Sequence, residues 1–338
     1  MNSSALQPYF STSSILNNEC LNLVELTMTE QCTQTTISEK ILVEHLGTGG
    51  KRLRARLALS TLSAIGINRE EGIYWAASVE MLHNTTLIHD DIQDGDQFRR
   101  GKPTSWVLHG IPQAINAGDL GLMLPFLLVH NIPTSLENRY TLMRWLADSA
   151  VQTVHGQSKE MELLPKNNFF RESYLDCIKK KTGSFFSLPV KGSALIAGIS
   201  ECEAEKLGDA FLPIGILFQM QDDILDLYGD KGRDNRGSDL KEGKVSNLVI
   251  EHFLLAPEDR LKLVTLLHKS RDSTTQVEID EFIEKFRNSG ALDNCLRQIQ
   301  SYADDVFNNE ILKNYPDLYE LAQDLIYLAL NPIEDLLR

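Results

Sequence analysis

Apolar positions recur every three to four residues along most of the chain, the period of helices that bury one face. The pattern predicts helices over residues 39–46, 70–91, 111–131, 137–160, 174–186 and 201–228, then over 248–255, 257–269, 277–287, 291–308 and 318–330. Glycine and proline punctuate them: Gly47 is placed to cap the first in the left-handed conformation, Pro125 to kink the third, Pro133 to close it and Gly229 to stop the sixth. Alternating β-branched runs bounded by turns are missing, and no glycine-rich nucleotide fingerprint follows a strand. Residues 1–16 read as a loose polar arm. No later change of composition marks a linker, so residues 17–338 read as one all-α domain, a helical bundle around a central cavity, where bundles commonly place metal sites.

Two of these helices carry chemistry. The first ends in Leu87-Ile88-His89-Asp90-Asp91-Ile92-Gln93-Asp94, and a helix spacing of three and four residues crowds Asp90, Asp91 and Asp94 onto one face. Taken alone, the cluster fits a solvated acidic helix end as well as a site. The second, Phe218-Gln219-Met220-Gln221-Asp222-Asp223-Ile224-Leu225-Asp226, repeats the Asp-Asp-x-x-Asp spacing inside a strongly apolar segment, where a merely solvated face is less expected. Two such helices face to face hold a diphosphate through Mg²⁺, which takes one or two carboxylates, several waters and substrate phosphates.

The cations are local. Gly49-Gly50-Lys51-Arg52-Leu53-Arg54 leads three of them into a helix start, a favourable place for an anion, though equally an ordinary basic surface. His83 lies two turns before Asp90 and so near the same cavity, with a satisfied core histidine as the alternative. Arg99 and Arg100 follow the first acidic cluster, and Lys179-Lys180-Lys181-Thr182-Gly183 interrupts an apolar stretch. The charged loop at 230–247 offers Lys231, Arg233, Arg236, Lys241 and Lys244 to a phosphate.

Bulk properties narrow the classes. The 338 residues carry a formal charge of −14, which argues against nucleic acid as the main partner. Five scattered cysteines without a C-x-x-C pair indicate neither a disulfide framework nor a zinc site and favour a reducing compartment. Before Lys40 there is no Lys or Arg for a secretory or transit signal, and the apolar run at 120–129 is too short to span a bilayer, so a cytoplasmic protein without a transmembrane segment is expected.

Five collinear motifs give the chain a family likeness: Gly49 to Arg54, the first aspartate motif with Arg99-Arg100, Gly156-Gln157, Lys181-Thr182, and Phe218-Gln219 with the second aspartate motif. Over about residues 49–248 it resembles the trans-isoprenyl diphosphate synthases, which include farnesyl, geranylgeranyl and longer polyprenyl diphosphate synthases. The resemblance implies an all-α isoprenoid-synthase fold and condensation of isopentenyl diphosphate with an allylic diphosphate. It implies that Asp90, Asp91, Asp94, Asp222, Asp223 and Asp226 hold Mg²⁺, three ions with substrate bound. By the same resemblance Arg99, Lys181 and Lys244 bind the allylic diphosphate, and Lys51, Arg54, His83 and Arg100 that of isopentenyl diphosphate. The Lys181 carbonyl, the Thr182 hydroxyl and the Gln219 amide offer oxygen dipoles to a carbocation. A homodimer is implied on the same ground.

Two positions depart from the family pattern. The loop reads Gly232-Arg233-Asp234-Asn235-Arg236-Gly237-Ser238-Asp239 where many members have Gly-Lys, leaving Arg233 or Arg236 to supply that cation, and residue 55 is Ala where proline is frequent. Chain length is expected to depend on Thr85, Thr86, Leu82 and Val79, upstream of Asp90. Small residues at 85 and 86 favour geranylgeranyl diphosphate or a longer product, with Leu122 or Phe126 as other candidate blocks. Two rivals stand beside the synthase: a class I terpene cyclase, and a non-catalytic subunit of a heteromeric prenyl synthase. The second Asp-Asp-x-x-Asp and the set Lys51, Arg54 and His83 speak against both.

Overall fold

The computed structural model describes residues 20–229 and 236–337, so the arm expected at 1–16 and the loop cation Arg233 lie outside the described residues. Helices α1 (Leu21–Glu30), α2 (Ile37–Leu46) and α3 (Leu53–Ala64) lead to α4 (Ile73–Gln93). A two-residue hairpin follows, β1 (Phe98–Arg99) against β2 (Lys102–Pro103), turned through Arg100 and Gly101 at φ of 54° and 75°. Then come α5 (Ser105–His109), α6 (Ile111–Val129), α7 (Leu136–Leu163), α8 (Arg171–Ile178), a π-turn at Lys179–Gly183, α9 (Ser184–Ile196) and α10 (Glu201–Tyr228). The remainder is α11 (Ser238–Lys241), α12 (Asn247–Leu255), α13 (Arg260–Leu267), α14 (Gln276–Asn288), α15 (Ala291–Phe307), α16 (Glu310–Lys313), α17 (Pro316–Leu330) and α18 (Glu334–Leu337).

The helix boundaries have local causes. Thr36 and Thr275 close capping boxes with Glu39 and Glu278, and the Ser135 and Ser200 hydroxyls accept from the third residues of α7 and α10. Gly47 ends α2 at φ −70°, not in the left-handed conformation expected of it; the positive angles fall at Gly49 (86°) and Gly50 (123°), which turn the chain into α3. Pro125 lies inside α6, and the helix continues past it to Val129. The stretch expected as one helix at 174–186 is instead α8, the π-turn and the start of α9.

Helix α4 is buried on nearly every side, from Trp75 and Ala76 through Val79, Met81 and Leu82 to Ile88, packed by α1, α3, α6 and α9. A helix apolar all round belongs at a centre. The polar residues it does bury are paired: Glu80 accepts from the Ala55 backbone N–H at 3.0 Å and from Asn84 Nδ2 at 2.7 Å. Helix α10 holds the corresponding place on the other side, packed by α9, α15, α17 and the π-turn. One continuous apolar core joins the helices from α1 to α17. Helix α6 is long and apolar enough to cross a membrane, longer than the run at 120–129 suggests, but it packs Ala114, Ala117, Gly118, Gly121 and Leu124 into the protein against α4 and α2.

Candidate active site

The C-terminal end of α4 and the C-terminal half of α10 bring the two acidic motifs to one cavity. Its wall includes Glu160, Lys181, Gln219, Asp222, Asp223, Asp239 and Lys244. Lys244 Nζ lies 3.2 Å from Asp94 of the first motif and 3.4 Å from Asp239, which follows the second. Lys181 Nζ bonds Glu160 Oε2 at 2.8 Å and sits in the field of Asp90. Burial works against the charge of both lysines, yet the surrounding carboxylates raise both above the ordinary lysine range.

The six aspartates do not share one environment. Helix α4 ends at Gln93, so Asp94 is its C-cap, and the turn of about 100° per residue carries Asp91 off the Asp90 face. Asp91 is 1 % exposed, and its Oδ1 takes Arg99 Nε at 2.7 Å and Nη2 at 2.5 Å. Asp223 accepts from Tyr174 Oη at 2.7 Å, Gln219 Nε2 at 3.1 Å and the Asn247 backbone N–H at 3.3 Å. Asp226 accepts from Ser238 Oγ at 2.6 Å and the Asp239 backbone N–H at 3.1 Å. Burial raises Asp90, and raises Asp223 to about 6. Asp222 is exposed and lines the cavity.

Among the described residues no three carboxylate, imidazole or thiolate groups converge as a ready-made metal cage. Hard oxygen donors spread over two facing helices fit Mg²⁺, whose shell is completed by water and substrate phosphate. Bringing this many carboxylates together without cations is costly, and a cation between them lowers that cost.

The π-turn is gripped from two sides. A Cβ at Gly156 of α7 would lie 2.8 Å from Lys181 N, and one at Gly215 of α10 would lie 2.7 Å from Gly183 Cα and 3.0 Å from Thr182 O. Within it Thr182 Oγ1 donates to Gln219 Oε1 at 2.9 Å, so Lys181, Thr182 and Gln219, expected together, are brought together. Gln157 Nε2 donates to Gln93 Oε1 at 2.9 Å, tying α7 to the end of α4.

A second group of cations gathers between α3, α4 and the hairpin. The Arg100 guanidinium lies over Gly50, where a Cβ would come within 2.6 Å of Cζ, and it also bonds the Gly49 carbonyl. Arg54 stacks on Phe186 at 5.3 Å, and His83 meets Phe185 edge-on at 5.2 Å. Burial lowers Arg54 to about 10 and, with Arg54 beside it, holds His83 well below the ordinary histidine value. Lys51 is exposed at the rim.

Several residues here were given no role from the sequence. His45 is 3 % exposed, its Nε2 has no hydrogen-bond partner, and burial with Arg99 and Arg100 nearby lowers it to about 3. Arg52, in the left-handed region at φ 49°, bonds Glu25 at 3.0 Å and Asn84 at 3.1 Å, holding α3 to α1 and α4. Glu160, Tyr174 and Asp239 also belong to the cavity wall. Glu160 had a sequence signal in its place one helical turn beyond Gly156-Gln157, and Arg52 and Asp239 in the motifs that contain them. Below the first motif, Val79, Leu82 and Thr85 are fully buried and Thr86 half-buried. Thr85 faces α6, where a Cβ on Gly121 would lie 2.4 Å from its Oγ1.

The polyprenyl synthetase family profile matches residues 35–286. The short chain isoprenyl diphosphate synthase of Methanocaldococcus jannaschii is 38% identical over 248 residues, 72% of this chain and 74% of that protein. The geranylgeranyl pyrophosphate synthase of Geoglobus acetivorans is 34% identical over 83% of this chain and 88% of its own. The geranylfarnesyl diphosphate synthase of Aeropyrum pernix is 30% identical over 84% and 90%. The crystal structure of geranylgeranyl pyrophosphate synthetase from Pyrococcus horikoshii superposes with a TM-score of 0.81 at 28% identity, covering 91% of this chain and 96% of that one.

Proposed function

This chain belongs to the polyprenyl synthetase family and is a trans-prenyltransferase, and from that premise we propose that it extends an allylic diphosphate with isopentenyl diphosphate to geranylgeranyl diphosphate or a longer all-trans product. The observation that carries the site reading is the division of the aspartates. Asp91, Asp223 and Asp226 are buried and held by protein donors, Asp223 at the cavity wall, whereas Asp222 lines the cavity exposed, Asp94 lies 3.2 Å from Lys244 and Asp90 sits in the field of Lys181.

Mg²⁺ dependence is general in this family. Asp90, Asp94 and Asp222 would hold the ions, which neutralise the allylic diphosphate and make it a better leaving group. Asp91 keeps Arg99 in place, and Asp223 and Asp226 orient α10 and the segment that bears Lys244. Lys181, Lys244 and Arg99 take the departing diphosphate. The Lys181 carbonyl, the Thr182 hydroxyl and the Gln219 amide carbonyl stabilise the allylic cation, which the isopentenyl double bond attacks. Arg54, Arg100, Lys51 and neutral His83 hold the isopentenyl diphosphate. Proton loss to the released diphosphate completes the condensation. Arg236, which is exposed, is the described candidate for the loop cation, with Arg233 the other.

Thr85 and Thr86 are small, which supports a tail longer than farnesyl, and curated relatives make geranylgeranyl and geranylfarnesyl diphosphates. The tail runs past the half-buried Thr86, since Thr85 packs against Gly121. A homodimer is part of the reading: Ile111, Ile115, Met123 and Leu127 form an exposed apolar stripe along α6, flanked by Tyr140, Val151 and Val154 on α7. A cytoplasmic setting accords with five free cysteines.

The test is incubation with isopentenyl diphosphate, Mg²⁺ and dimethylallyl, geranyl or farnesyl diphosphate in turn, products being read by mass. A chelator-sensitive ladder ending at twenty or more carbons is expected, and Thr86→Phe should shorten it. Cyclic hydrocarbon without elongation would favour the cyclase, and an unshortened Thr86→Phe product would put the floor elsewhere.

A further inference from the structure

Arg271 opens a single 3₁₀ turn, Arg271–Ser273, between α13 and α14, far in sequence from either acidic motif. Its Nη1 donates to the Asp94 backbone carbonyl at 3.2 Å and its Nη2 to Asp96 Oδ1 at 3.1 Å, with Glu242 Oε1 3.2 Å from the same nitrogen. Glu242 Oε2 lies 2.8 Å from Lys244 Nζ, and Lys244 reaches back to Asp94 at 3.2 Å. Asp96 is itself anchored to the far side of the hairpin, its carbonyl accepting from Thr104 Oγ1 and Trp106 Nε1, each at 2.8 Å. A closed ring of contacts therefore joins the loop carrying Asp94 to Lys244 of the cavity wall, and Arg271 is the link that brings the C-terminal helices into it.

We propose that Arg271 is a positioning residue for the allylic diphosphate: it ties the loop carrying Asp94 to the segment carrying Lys244 and so fixes the gap the diphosphate enters. The Glu242 side chain is 8% exposed and is balanced by two cations. Removing Arg271 leaves that carboxylate to Lys244 alone, which strengthens the competing pair and draws the lysine from the diphosphate. The loop carrying Asp94 also loses two donors. Because the Arg271 side chain is itself 40% exposed, its loss leaves the core intact.

The inference rests on the reading of Asp94 and Lys244 as the allylic side. Steady-state kinetics with each substrate varied separately test it. Arg271→Ala should raise the KM for the allylic diphosphate about five- to tenfold, leave that for isopentenyl diphosphate within about twofold and keep kcat within about threefold. Arg271→Lys should recover part of the loss. Asp96→Asn should raise the same KM and add little to Arg271→Ala, since both break one contact. Equal rises in both KM values, or an unchanged allylic KM, would overturn the proposal. Lys244→Ala separates the failures: if it weakens allylic binding while Arg271→Ala does not, the tie is wrong and the site reading stands. If neither variant alters allylic binding, the site reading itself fails.

Discussion

At the residue scale the site is made by burial as much as by charge. His45 and His83 sit among Arg52, Arg54, Arg99 and Arg100, and desolvation keeps both imidazoles neutral. Neutral histidine can donate one N–H to an anion without adding to the crowd of positive charge. Unfolded, such a histidine takes up a proton near 6.5; folded, His45 does so only near about 3. Between those values the unfolded chain binds more protons, so the stability is fully present above 6.5 and falls with pH, by at most ~1.4 kcal/mol per pH unit for each buried histidine. Urea unfolding from pH 7 to 5 should show this slope, shallower in His45→Gln. Equal slopes would mean that His45 protonates freely in the folded chain. The sequence singles out His83 because it shares the Asp90 face, two helical turns away. His45 carries no such signal, since its burial depends on the Arg99-Arg100 hairpin folding back over α2.

At the element scale most helices are legible, because apolar period, capping threonines and serines, and glycine stops agree; residues 201–228 are one helix as the pattern predicts. The π-turn is not legible. A five-residue interruption has no period of its own, and what holds it is the approach of Gly156 and Gly215 from two neighbouring helices. Gly215→Ala forces a methyl against Gly183 Cα and the Thr182 carbonyl, an overpacking that costs about 1–3 kcal/mol. A lower melting temperature together with reduced kcat is expected, since Lys181 and Thr182 ride on the turn. A variant that melts lower and keeps full kcat would mean the turn does not position the reacting groups. The spacing of the first aspartate motif is readable too, but reading three carboxylates on one face overlooks the turn between Asp90 and Asp91 and the helix end before Asp94.

At the scale of the whole molecule, two long helices from different parts of the chain meet so that one acidic motif faces the other, with lysines from the π-turn and from the segment after α10 between them. The motifs and their order are visible in the sequence. Their opposition arises only from packing across more than a hundred residues, and the bonds that hold Asp91, Asp223 and Asp226 come from partners 4 to 49 positions away. The most direct test is the Mg²⁺ activation curve of Asp222→Asn beside that of Asp226→Asn, with melting temperatures measured on both. Asp222→Asn should need about tenfold more Mg²⁺ for half-activation and melt close to the wild type, since it loses a ligand on an exposed side chain. Asp226→Asn should melt lower and keep the wild-type Mg²⁺ midpoint, because its carboxylate serves Ser238 and the Asp239 backbone. A shifted midpoint for Asp226→Asn with none for Asp222→Asn would contradict the account.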